Sequence, residues 1–116
     1  MKRDYKLFVK DILDSIMKIE KFVGEMRYEE FVEDDKTSSA VVRELEIIGE
    51  ATKNIPKEIR VKYKEIPWSD IAKMRDKIIH SYFGVDYGIV WKAIKGRLPI
   101  LKQQIEKVLK EVEKDT

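Results

Sequence analysis

Residues 5–26, YKLFVKDILDSIMKIEKFVGEM, carry apolar side chains at every third or fourth position. This spacing places them along one face of an α-helix, with Lys, Asp and Glu between them. The stretch therefore predicts one long amphipathic helix that ends or bends near Gly24. Its apolar positions are Tyr5, Phe8, Val9, Ile12, Ile16, Ile19, Val23 and Met26.

The same spacing predicts a short helix near residues 28–32, followed by an acidic turn at residues 33–35. The hydroxyl side chains at residues 37–39 can cap a second long helix, which should stop before Pro56. Within that helix Gly49 is expected to permit close helix packing. Its core stripe would be Val41, Val42, Leu45, Ile48 and Ala51.

Pro56 can open a further short helix, and Pro67 ends it. Ser69 or Asp70 is then expected to cap a helix that runs towards Gly84. That helix would carry Ile71, Met74, Ile78 and Ile79.

Asp86 can cap the next segment, and Pro99 predicts a kink or a fresh start before the last helix. The last helix would bury Leu98, Leu101, Ile105, Val108, Leu109 and Val112. No sustained alternating pattern and no hairpin signal is present. Residues 1–116 therefore predict a single all-α domain, an antiparallel helical bundle of four to five main helices plus short ones.

Composition narrows the classes of function. The net charge is +2, which gives no strong overall field for nucleic acid. The absence of cysteine excludes disulfides and thiol nucleophiles, and a single histidine makes a zinc site an unfavourable prediction. The charged start lacks the apolar centre of a signal peptide, and no apolar run reaches the ~20 residues that span a bilayer. A cytoplasmic protein without a membrane partner is expected.

The stretch MRDKIIHSYFG, residues 74–84, holds the only histidine of the chain. Arg75 and His80 are five positions apart, which on an ideal helix is ~140° of rotation and ~7.5 Å of rise. They can converge only if the helix loosens near His80 or if a second copy supplies one of them. A histidine stabilised by the helix dipole and an arginine in a solvated charge pattern are the non-catalytic alternatives.

The chemical interpretation gives both side chains coherent roles. An imidazole can take a proton from a ribose 2′-hydroxyl or give one to a leaving oxygen. A guanidinium can donate to phosphate oxygens and stabilise a doubly charged phosphorane. Together they suffice for metal-free cleavage of RNA. The carboxylates Asp34, Asp35 and the pair Glu46 and Glu50 are more typical of solvated surface charges.

The segment RDKIIHSY matches the arrangement R-x-x-x-x-H-x-Y of HEPN (higher eukaryotes and prokaryotes nucleotide-binding) domains. The chain most resembles the HepT-like toxins of that family. RELEIIGEATKNI resembles the central helix of the family, IPWSDIAKMRDKIIHSYFGVD its motif region and IVWKAIKGRLPILKQQIE its C-terminal helix. The resemblance covers roughly residues 4 to 110.

The resemblance implies a homodimer whose motif helices face each other across a composite cleft. It implies a metal-independent endoribonuclease with Arg75 and His80 as catalytic residues and with no cofactor. It further implies the toxin of a type VII-like toxin–antitoxin module, neutralised by a minimal nucleotidyltransferase antitoxin. Tyr82 matches the tyrosine to which such a partner attaches AMP.

Two carboxylates are expected to support this site. Asp76 stands where the family often has asparagine, and its charge is expected to weaken binding of RNA phosphate. Glu50, in the resembling IIGEA helix, is expected to orient the site. The alternative function is a non-catalytic helical module that binds a nucleotide or acts as an adaptor for a nucleotidyltransferase.

Overall fold

The computed structural model describes residues 4–80 and 84–114, and His80 through its backbone alone. The chain is an all-α bundle, as the periodicity predicts. The elements in chain order are α1 (Tyr5–Val23), α2 (Tyr28–Glu33), α3 (Asp35–Lys53), α4 (Lys57–Lys62), α5 (Trp68–Ala72), α6 (Met74–Ile78), β1 (Ile79–His80), β2 (Gly84–Val85), α7 (Tyr87–Lys92), a π-helical segment (Ala93–Arg97) and α8 (Leu98–Lys114). None of the helices within these described ranges is long and apolar enough to cross a membrane.

The core is formed mainly by α1, α3 and α8, with α1 packed along α3 and against α8. The predicted stripe of α3 is buried, and so is that of α1 from Val9 to Val23, so both helices exclude water from the same interior. Tyr5 and Phe8 of α1 are half-buried, as is Met26, which lies beyond the end of α1. The stripe of α8 is buried too, except for Leu109, which is half-buried. The fully buried residues at the centre include Val9, Ile12, Ile16, Val41, Leu45, Ile48 and Ile105.

The ends of α1 and α3 are set by local hydrogen bonds. Gly24 ends α1 as predicted, with φ of +52°, a conformation that glycine adopts without steric cost. The cap predicted at residues 37–39 is wrong, because Asp34 accepts a hydrogen bond from the Thr37 backbone N–H at 2.9 Å and α3 begins at Asp35. This bond lowers the pKa of the Asp34 carboxyl. Asp34 is therefore a helix cap.

The motif helix differs from the prediction at both ends. Pro67, and neither Ser69 nor Asp70, precedes the first residue of α5, and no side chain caps that helix. The predicted continuous helix to Gly84 is divided at Lys73 into α5 and α6, and α6 ends at Ile78. Beyond it, β1 and β2 form a two-residue antiparallel pair that the sequence pattern did not predict.

Side-chain bonds attach the short helices to the bundle. The Tyr63 hydroxyl at the end of α4 donates to the Glu111 carboxylate of α8. The Trp68 indole N–H donates to the Tyr63 carbonyl at 3.0 Å, and both rings are buried. Arg60 donates to the Thr52 carbonyl at 2.8 Å and so satisfies the C-terminal end of α3.

The last helical run changes type where Pro99 predicts a disturbance. Asp86 caps α7 as expected, by accepting from the Ile89 N–H at 3.1 Å. The residues that precede Pro99 are π-helical, and the Leu98 N–H donates to the Ala93 carbonyl five positions earlier. The wider turn keeps the chain helical into α8, so the fresh start predicted at Pro99 is wrong and the disturbance there is a change of helix type.

Gly49 lies where α3 meets α5. A Cβ atom at Gly49 would lie 3.5 Å from the carbonyl oxygens of Ile71 and Ala72, which is ordinary contact. A larger side chain would have to separate the two backbones. Gly49 is thus a site of close packing, with room for one methyl group.

Replacement of Gly49 should therefore depend on size. Gly49→Ala is expected to keep or raise the free energy of unfolding, by up to about 1 kcal/mol, because alanine favours the helix. Gly49→Leu should lower it by about 1–3 kcal/mol through overpacking. Urea denaturation followed by circular dichroism measures both. Gly96→Leu is the control, since nothing lies within 4 Å of an added Cβ there; a loss in Gly49→Ala equal to that in Gly49→Leu would contradict this account.

Candidate active site

Arg75 lies on α6 and presents its guanidinium beside α3. Its side chain is 56% exposed, and its Nε lies 3.6 Å from Oε2 of Glu46, whose side chain is 26% exposed. An ion pair this exposed contributes only about 0–1 kcal/mol to stability. Its main effect is therefore to restrict where the guanidinium lies, with most of the donor fork still open to solvent.

The packing at Gly49 brings these two side chains together. Gly49 and Glu46 are three positions apart on α3 and so lie on neighbouring parts of its surface. Because the last residues of α5 pass against Gly49, α6 begins beside the turn that carries Glu46. The position of Arg75 thus depends on the contact between α3 and α5.

His80 lies where the helical geometry has ended. Ile79 has φ of −110° and ψ of 117°, which is extended backbone. His80 pairs with Gly84 and Ile79 with Val85, while the Asp86 N–H donates to the Ile78 carbonyl at 2.8 Å. These bonds fix the point at which the chain leaves α6.

This geometry meets the first of the two conditions for convergence of Arg75 and His80. The helix loosens before His80, so the ideal-helix separation of ~140° does not apply between them. A second copy of the chain is then not required by backbone geometry. The His80 side chain and Tyr82 lie outside what the structure describes, and their roles stay predictions.

The other two predicted site residues are both exposed. Asp76 follows Arg75 on α6. Glu50 lies one turn beyond Glu46 on α3, where its Oε1 accepts from the Lys53 Nζ at 3.3 Å. The structure thus pairs Arg75 with Glu46, and the supporting roles of Asp76 and Glu50 stay predictions.

Glu46 is the residue that the sequence interpretation assigned to the solvated surface. Its distance from Arg75 along the chain hides the contact. The sequence feature that could have predicted this contact is the place of Glu46 three positions before Gly49. A carboxylate there lies beside any helix that packs against the glycine. In the part of the chain that the structure describes, no group of three or more Asp, Glu, His or Cys side chains could hold a metal ion.

Comparison with known proteins places the chain in a family. The family model "Ribonuclease HepT-like" matches residues 12–108. The chain belongs to this family, which confirms the resemblance seen in its sequence. No solved structure matches the chain.

Two relatives match over nearly their whole length. "Probable ribonuclease HepT" of Thermococcus cleftensis is 50% identical over 110 residues, which are 95% of this chain and 100% of the relative. "Putative RNase MJ1216" of Methanocaldococcus jannaschii is 51% identical over 112 residues, which are 97% of this chain and 93% of the relative.

The ion pair between Arg75 and Glu46 can be tested directly. Glu46→Gln removes the charge near Nε, so the Arg75 Nε–H resonance in an NMR spectrum should shift and its exchange with water should accelerate. Glu58→Gln, an exposed carboxylate on α4, is the control and should leave that resonance in place. A shift caused by Glu50→Gln but not by Glu46→Gln would contradict the observed pairing.

Proposed function

We propose that the protein is a metal-independent endoribonuclease in which Arg75 and His80 act on the scissile phosphodiester. The observation that carries the proposal is the open guanidinium of Arg75, which pairs with Glu46 and lies on α6, a helix that ends at Ile78, two residues before His80. Membership of the HepT-like ribonuclease family and the ribonuclease names of the relatives support it.

The proposed reaction needs only groups of the protein and the RNA. His80 takes the proton of the ribose 2′-hydroxyl, whose oxygen attacks the adjacent phosphorus. The bond from phosphorus to the 5′-oxygen breaks, and that oxygen takes the proton that His80 now carries. The products are a 2′,3′-cyclic phosphate and a 5′-hydroxyl. Arg75 donates to the non-bridging oxygens, where charge accumulates in the transition state.

In the proposed biological role the enzyme is a toxin of a type VII-like toxin–antitoxin module, and its partner is a minimal nucleotidyltransferase. Tyr82 stands in the sequence between His80 and Gly84, whose backbones pair. An AMP group on its phenol would be attached two positions along the chain from His80. Its bulk and negative charge would then obstruct and repel RNA, which gives neutralisation a physical cause.

The cleavage assay uses single-stranded RNA in the presence of a chelator. Wild-type protein should release fragments that end in a cyclic phosphate. His80→Ala should lower the rate by about 10²–10⁴ and Arg75→Ala by about 10²–10³, because proton transfer and charge stabilisation are lost. An oligonucleotide with 2′-deoxyribose at every position should resist. An undiminished rate in His80→Ala would remove that residue from the mechanism.

A homodimer with a composite cleft is proposed alongside this chemistry. Mixing Arg75→Ala with His80→Ala in equal amounts tests it. If each site takes one residue from each chain, a mixed dimer has one intact site in two, and about a quarter of wild-type activity should return. If both residues act within one chain, none should return. Light scattering that shows only monomer would contradict the composite cleft.

Modification of Tyr82 has its own expected outcome. A nucleotidyltransferase with ATP should add the mass of AMP to the wild-type chain and lower its cleavage rate, because the adduct blocks RNA. Tyr82→Phe should cleave RNA but resist both effects, as mass spectrometry and the same assay would show. Transfer of AMP to Tyr82→Phe, with loss of activity, would contradict this site. Binding of the nucleotidyltransferase without any RNA cleavage would favour the adaptor function.

A further inference from the structure

A groove borders the candidate active site between the first half of α3 and the segment that joins β2 to α7. Its volume is about 170 Å³. From α3 it is lined by Ser39, Val42, Arg43 and Glu46, and from the opposite side by Val85 and Tyr87. Glu46 is also the partner of Arg75, so the groove and the candidate active site share a wall.

Arg43 provides the groove with an available positive charge. Its side chain is exposed, and within residues 4–80 and 84–114 it forms no ion pair. The negative charge of Glu46 in the same wall is opposed by Arg75 at 3.6 Å. Ser39, also exposed, adds a hydroxyl that can donate to an anion. An anionic group in the groove would therefore meet an unopposed guanidinium.

The opposite wall is fixed in place by packing. The Tyr87 ring is half-buried and meets the edge of the fully buried Phe31 ring, with centroids 6.3 Å apart and planes at 82°. Phe31 packs in turn against Trp91, at 5.3 Å between centroids. Aromatic contacts of this kind hold Tyr87 as a firm apolar wall. A ribose can rest against such a surface.

The size of the groove decides which part of a nucleic acid fits. Pockets that enclose a small-molecule ligand usually measure about 300–1,000 Å³. At about 170 Å³, this groove is too small to enclose a nucleotide with its base. It has room for a phosphate and part of a sugar. Contacts of that kind position a strand and carry no sequence information.

We propose that this groove is a binding subsite for the RNA backbone next to the bond that is cut, and that Arg43 binds the phosphate there. The proposal rests on the proposed function, because it takes the RNA to be the strand that Arg75 and His80 cleave. It adds a residue of substrate binding outside the R-x-x-x-x-H motif. It also predicts that the protein has little base preference for the nucleotide whose backbone lies in this groove.

The test separates binding from cleavage. A fluorescent RNA oligomer with 2′-O-methyl groups cannot supply the nucleophile, so anisotropy reports binding alone. Arg43→Gln should weaken binding severalfold and reduce the slope of log affinity against log salt by about 0.7, the value for one phosphate of a single strand. With cleavable RNA the same variant should lower kcat/KM mainly through KM. Arg43→Lys should recover part of the loss, because it restores the charge without the fork.

Lys110→Gln is the matched control, since it removes one exposed positive charge from α8 outside the groove. It should leave both affinity and salt slope close to wild type. Wild-type binding of the uncleavable oligomer in Arg43→Gln, or an equal loss in Lys110→Gln, would overturn the proposal. So would a failure of the wild-type protein to bind RNA. If the wild type binds RNA through Arg43 but cleaves none, the groove stands as a binding site for the RNA backbone, and the endoribonuclease proposal falls.

Discussion

Gly49 allows α3 and α5 to meet backbone to backbone, and the candidate site depends on that contact. The carbonyls of Ile71 and Ala72 lie 3.5 Å from where a Cβ would stand, which fixes the start of α6 against α3. Arg75 then lies within reach of Glu46, although the two residues belong to separate elements. The close contact at Gly49 thus determines where the exposed guanidinium of Arg75 lies. The same turn of α3 carries Arg43, so one helix borders both the candidate catalytic arginine and the groove beside it.

The sequence predicts the bundle well where burial decides the structure. Most residues of the predicted stripes of α1, α3 and α8 are buried, because an amphipathic helix excludes its apolar face from water by turning that face to the core. Caps were harder to predict. Asp34 and the three hydroxyl residues that follow it are all suitable caps for α3. Asp34 is the cap because the folded backbone places its carboxylate within reach of the Thr37 N–H. Several residues in one short stretch were chemically suitable, and sequence alone did not rank them.

The candidate site shows a second limit of prediction from sequence. Arg75 and His80 could be chosen from their chemistry and from the family resemblance, but the break between α6 and β1 could not. That break is held by the pairing of Ile79 with Val85 and by the bond from Asp86 to Ile78, contacts that form only when the chain returns on itself. Glu46 was missed for the same reason, because its partner is 29 positions away along the chain. Helical periodicity reports the face a residue occupies, whereas the identity of its neighbour is a tertiary property.

The π-helical segment before Pro99 links the length of the chain to the identity of one residue. A π turn closes over five residues and an α turn over four, so removal of one residue from Ala93–Arg97 would convert this region into a regular α-helix. A regular α turn would then bring the Pro99 ring against the carbonyl four positions earlier, and this clash together with the missing N–H costs about 3 kcal/mol. Relatives whose chain is one residue shorter in this segment are therefore expected to lack the proline as well. The length of this segment and the proline that follows it are thus expected to vary together.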